Sequence, residues 1–118
     1  MRYVQLLVLL IGVLTLSSCS TTAPKKENKD LLEFAKSNCF FWYFKSQNID
    51  TSDIKKITSG IVEMSTYSAD KFQQVAFLVK GYSPEVSSKN NINIELHKCF
   101  ILDSDKEFIN KLHAICEL

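Results

Sequence analysis

The chain has 118 residues, 14 Lys plus Arg against 13 Asp plus Glu, and 46% hydrophobic residues, the composition of one small globular domain rather than a multidomain enzyme. Its near-zero net charge argues against a nucleic-acid module, which works by neutralising phosphates. Three glycines in the whole chain leave no Gly-rich loop to cradle a phosphate or a dinucleotide.

Residues 1–18, MRYVQLLVLLIGVLTLSS, carry one cation at Arg2, an apolar run over 6–16 and small residues at the end. That is the plan of a secretory signal peptide, too short to span a bilayer comfortably. Leu16, Ser17, Ser18 and Cys19 directly after the apolar run resemble the lipobox of bacterial lipoproteins, which implies lipidation of Cys19 and cleavage before it. Ser20, rather than Asp, follows that cysteine, so the expected place is the outer membrane facing the periplasm, held there by the lipid. Past residue 18 there is no arginine, and lysines and carboxylates balance. Residues 19–29 are polar, include Pro24 and lack a large apolar side chain, so they read as a lipidated flexible tether with a mean span of roughly 15 to 20 Å.

Residues 30–118 form the expected folded domain, with mostly helical periodicity. From Asp30, the positions Leu32, Ala35, Cys39, Trp42 and Tyr43 predict a first helix running to about Ser46. Its later part, Phe40 to Phe44, is apolar all round, which implies either a central helix or an interface with a partner or a second copy. Thr51 or Ser52 is placed to cap a second helix with the stripe Ile54, Ile57, Ile61 and Met64, interrupted by Gly60. Ser68 is placed to cap a third, with Phe72, Val75, Ala76 and Val79 on one face and Gly81 as its stop. Residues 82–91 read as a loop.

Residues 92–102 alternate as a strand does, but no other segment offers a β partner, and an isolated strand cannot satisfy its backbone groups. A short helix is therefore expected there. Ser104 with Glu107 makes a capping-box pattern ahead of a last helix bearing Phe108, Ile109, Leu112, Ile115 and Cys116, with Asp103 and Asp105 also near its start. The sum is an all-α bundle of four to five short helices, closed by one disulfide.

With Cys19 lipidated, Cys39, Cys99 and Cys116 remain in an oxidising compartment. Spacing does not choose among their three possible bridges, and the leftover sulfur either is buried in the last helix or joins two chains. His97 with Cys99 and His113 with Cys116 lack the spacing of standard structural zinc sites. No local signature surrounds a cysteine nucleophile. The reading is therefore a protein without catalytic residues, metal or cofactor.

The order of motifs resembles the type VI amidase immunity proteins. A helix carries Ser37, Asn38 and Cys39; a second carries Gly60, Val62 and Glu63; an amphipathic helix ends near Tyr82; and Lys98 with Cys99 precedes a short terminal helix. The family comprises small periplasmic helical proteins that neutralise a peptidoglycan-cleaving amidase delivered by the type VI secretion system, and the resemblance covers about residues 30–115. It implies an all-α fold, a disulfide between Cys39 and Cys99, frequent dimerisation, and occlusion of the amidase groove. Gly60 would then permit close helix approach, and Glu63 is either a polar contact or solvated. The lipobox and Cys116 depart from the family pattern.

Occlusion is expected from the loop after the third helix, where Tyr82, Pro84, Glu85 and Lys89 are available. The competing reading is a pilotin-like or assembly lipoprotein of the outer membrane that binds a peptide of a secretion-system component. A groove lined by Phe40, Phe44 and Phe72 would favour it.

Overall fold

In the computed structural model, residues 26–87 and 91–117 are described. They form five helices, α1 (Lys26–Ser46), α2 (Ser52–Met64), α3 (Ala69–Lys80), α4 (Ile94–Ile101) and α5 (Lys106–Glu117), with no strand among the described residues. The fold is the all-α bundle that the periodicity implies. Cys19, the expected signal segment and the expected tether up to residue 25 lie outside the described residues, while residues 26–29, expected as the end of that tether, are helical.

The first helix begins at Lys26 rather than near Asp30, and the Lys29–Glu33 pair at 3.3 Å spans one turn of it. Its buried residues are Leu31, Phe34, Ala35, Ser37 and Cys39: Ala35 and Cys39 lie inside as anticipated, whereas Leu32 and Tyr43 are half-buried and Trp42 is exposed. No α1 residue after Cys39 is buried. The helix ends in a left-handed cap: Asn48 has φ of 57°, and the Ile49 amide donates to the Phe44 carbonyl at 2.9 Å. Asparagine tolerates that backbone region better than most residues.

Helix α2 lies antiparallel to α1, as the Ser37 and Thr58 hydroxyls in contact show. Thr58 also donates to the Ile54 carbonyl at 2.7 Å, so the serine is the donor between the two hydroxyls. The start of α2 is held by Asp50, whose Oδ1 accepts from the Ser52 amide and hydroxyl, not by the side chains of Thr51 or Ser52. Ile61 and Val62 pack against the core, but Ile57 is 57% and Met64 85% exposed. The anticipated stripe therefore runs partly into solvent, and α2 buries no residue completely.

Helix α3 runs parallel to α1 and buries Phe72, Val75 and Val79; the Phe34 and Phe72 rings meet at 5.0 Å. Against it, antiparallel, lies α5, which buries Phe108, Leu112 and Cys116. The ammonium of Lys71 donates to the Ile115 and Cys116 carbonyls at 3.1 and 2.7 Å, satisfying acceptors that the end of α5 leaves open. Cys116 is buried in the last helix, with the Tyr67 hydroxyl 2.8 Å from its sulfur; that sulfur is disulfide-bonded rather than left over, and no described cysteine is a free thiol.

The segment that alternates like a strand is helix α4, started by Asn93, whose side chain accepts from the Leu96 amide at 3.0 Å. Only Cys99 within α4 and Leu102 just after it are buried. The Cys39–Cys99 disulfide, closing a separation of 60 residues, and the Lys36–Asp103 pair at 3.0 Å fasten this short helix to α1.

An eight-residue helix has little stability alone, so the bridge carries its docking. Replacing both Cys39 and Cys99 by Ala is expected to lower unfolding free energy by about 4 kcal/mol. Urea titration would measure it, with amide exchange rising first in α4. At Gly60 an added Cβ would meet nothing within 4 Å, so this residue supports no close approach inside the fold. Gly60→Ala should stabilise the protein by about 1 kcal/mol, read as a higher urea midpoint at unchanged slope.

Candidate partner-binding site

The antiparallel and parallel pairings gather one end of the bundle from the C-terminal half of α1, the start of α2, the end of α3 and the starts of α4 and α5. The connection from α3 to α4 emerges at this end. Its first residue after Gly81 is Tyr82, half-buried, with its ring 5.0 Å from that of Phe108 and its hydroxyl donating to Asp105 Oδ2 at 2.8 Å. The Tyr82 carbonyl accepts from Lys98 Nζ at 3.5 Å, and Lys98 pairs with Glu95 at 2.8 Å.

Asp105 is the residue that starts α5. Its Oδ1 accepts from the amides of Glu107 and Phe108 at 2.9 and 3.1 Å, whereas the Ser104 hydroxyl turns back to the Ile101 carbonyl. The expected Ser104 cap is thus replaced by Asp105 one position later. One carboxylate joins two tasks, capping α5 and holding the loop after α3. The Tyr82 hydroxyl, followed by the Phe108 and Glu107 amides, holds the Asp105 carboxyl below its ordinary value. Burial, then Asp105 itself, pushes the Tyr82 phenol above its ordinary range.

Of the four loop residues singled out from the sequence, Tyr82 is therefore the anchor. Pro84 is half-buried and Glu85 exposed; Lys89 lies outside the described residues. Pro84, Leu78, Phe108 and Lys111 share a hollow of about 170 Å³ beside the anchor. Glu63 is exposed on α2. Phe72 is 3% exposed and faces Phe34, while Phe40 faces Phe44 and Phe100, so Phe40, Phe44 and Phe72 do not line one groove.

The aromatic run of α1 is a surface feature. Phe40 alone of the five packs against the core, and Trp42 is 43% exposed. Lys45 Nζ sits 5.1 Å from the Trp42 ring centroid. Sequence reasoning weighed the rings but not the lysines around them, Lys45 one position after the run and Lys55 on α2. Their signal was the placement of cations beside an apolar stretch.

Among the described residues no group of three His, Cys, Asp or Glu side chains converges to hold a metal, and no helix is long and apolar enough to cross a membrane. Cys99 is engaged with Cys39, which removes it from any pairing with His97 as a ligand. Comparison with protein-family models, curated proteins and solved structures returns no match.

The Tyr82–Asp105 contact makes a pH prediction with a defined sign. Because the Asp105 carboxyl is lowered on folding, its contribution is complete above the ordinary carboxylate value of about 4 and is lost as pH falls further. Because the phenol is raised, its contribution holds below about pH 10 and is lost as pH rises beyond. Tyr82→Phe should cost about 1 kcal/mol at neutral pH, move the Asp105 titration upward, and remove the alkaline decline due to Tyr82. Carbon-detected NMR titration and urea midpoints across pH would measure these changes.

Proposed function

We propose that the chain is a cell-envelope immunity protein, anchored through lipid on Cys19 at the periplasmic face of the outer membrane. There it binds a peptidoglycan amidase of a type VI secretion system and fills its active-site groove. The observation that carries this reading is the disulfide between Cys39 and Cys99: of the possible bridges, it is the one that the resemblance to amidase immunity proteins implies. The helical bundle is the fold that the same resemblance implies.

Occlusion asks for a segment that reaches a groove yet is ordered before binding, since ordering on contact subtracts from affinity. The start of the connection after α3, residues 82–87, has that character. Its base is fixed by Tyr82 against Phe108 and Asp105, while Glu85 projects beyond the anchor into solvent. The bound enzyme is inhibited by exclusion of its substrate, and the immunity protein contributes no bond-making step.

The test is direct. The reading expects an amidase with a Cys–His pair to be encoded beside this chain, and that enzyme should form a stable complex with the purified protein and lose activity on peptidoglycan. Deleting residues 83–89 should weaken inhibition at least about tenfold with helical content retained. An amidase that neither binds nor is inhibited would end this reading; full inhibition by the deletion variant would remove the loop from it.

A further inference from the structure

Past Cys39, α1 keeps a dense set of rings that its own fold does not bury. Phe41 and Trp42 meet edge to face at 5.1 Å. Lys45 Nζ lies 5.9 Å from the Phe41 centroid, and Lys55 Nζ, from α2, approaches the same ring at 5.9 Å. Two ammonium groups therefore flank one ring. Neither has a carboxylate within ion-pair distance among the described residues. Asp50 is influenced by Lys55 through space, but its strongest contacts are to Ser52.

Beneath Phe41 the two helices leave a cleft of about 290 Å³ lined by Asn38, Phe41, Lys55, Thr58 and Ser59. The Asn38 side-chain oxygen is buried and accepts no hydrogen bond. Thr58 does not serve it, because that hydroxyl is committed to the Ile54 carbonyl and to Ser37. A desolvated acceptor without a donor is unusual in a folded protein and, closed off from solvent, is a local cost to the fold rather than a contact for a partner. Two unmet demands converge at the mouth of the cleft: an anion for Lys45 and Lys55, and apolar surface for Phe41 and Trp42.

We propose that the α1–α2 cleft around Phe41 is a docking site for an acidic, apolar peptide segment of a protein partner. A carboxylate of that segment sits between Lys45 and Lys55, and a neighbouring apolar side chain lies on Phe41 and Trp42. The charge complementarity is one-sided, which selects against basic partners as well as for acidic ones. On its other side Trp42 borders a second hollow with Val79, Lys80 and Lys98, next to the start of the loop after α3. One partner is thereby able to engage loop and cleft together. The proposal rests on the reading that the chain acts by binding a protein, and it assigns a second contact face to that same partner.

Trp42 is the single tryptophan of the chain, so its emission reports on this face alone when the probe has none. A short synthetic peptide of Glu, Leu and Ala should shift that emission saturably. The affinity should fall as salt rises and drop about tenfold or more in the Lys45→Glu, Lys55→Glu double variant. A matched peptide with Lys in place of Glu should give no shift. Circular dichroism confirms that the variants remain helical; should the double variant unfold, the salt titration and the basic peptide on the unmodified protein decide.

No response to the acidic peptide, or an equal response to the basic one, overturns the proposal. So does a blue shift on vesicles of phosphatidylcholine and phosphatidylglycerol without one on the peptide, which would make the face a membrane contact. The co-encoded amidase separates the two readings. If it binds the unmodified protein and the double variant equally, the cleft assignment fails and the immunity reading stands. If it binds neither, the immunity reading fails and the peptide titration still decides the cleft.

Discussion

The sulfur bridge between Cys39 and Cys99 divides α1 into two halves of different character. Before it, Leu31, Phe34 and Ala35 point into the core and meet α3 and α5. After it, the helix carries rings that remain at least partly exposed. The bridge also ties the short α4 to this dividing point. Without that covalent tie, α4 is held by the buried Leu102 at its end, the ion pair of Asp103 with Lys36, the long Lys98 contact to the Tyr82 carbonyl and the half-exposed contact of Phe100 with Phe40. The same bond therefore closes the core and braces the helix from which the exposed face projects.

A second economy operates at the other side of that end. Asp105 caps α5 with one oxygen and receives the Tyr82 hydroxyl with the other. The geometry of the loop base and the start of the last helix are consequently coupled through one carboxylate. A protein of this size has few core residues to spare for fixing a loop, and a polar contact at the rim does so without widening the core.

Helix count and the α3 and α5 faces were readable because Phe72, Val75, Val79, Phe108 and Leu112 sit at strong 3.6-residue spacing. The helical state of α4 followed from the lack of any β partner rather than from its own alternation. On α1, Ala35 and Cys39 were legible as core, but Trp42 and Tyr43 were not legible as surface, because Phe40 to Phe44 supply apolar residues at every phase and no periodicity survives there. On α2, Ile57 and Met64 looked like core positions, yet a helix packed mainly on one neighbour leaves part of its apolar arc in solvent. The Ser104 assignment failed by one residue because Asp103, Ser104 and Asp105 are all good caps, and only packing selects among them. In the candidate site, Tyr82 was legible as a position but not as an anchor, since its partner Asp105 lies 23 residues away. The cleft under Phe41 was not legible at all: it needs the antiparallel crossing of α1 and α2.

The placement of the bridge also orders events in time. The α1–α2 pair joins segments close in sequence and is able to form early, whereas Cys39 meets Cys99 only after a loop of 60 residues has closed. Until that bond forms, α4 is held less firmly, and Leu102, buried in the finished fold, is the apolar side chain left open. A molecule whose bridge has not yet formed thus offers α4 to proteases in a way the finished fold does not. The yield of folded protein then depends on how fast that bond is oxidised as well as on the rate of synthesis.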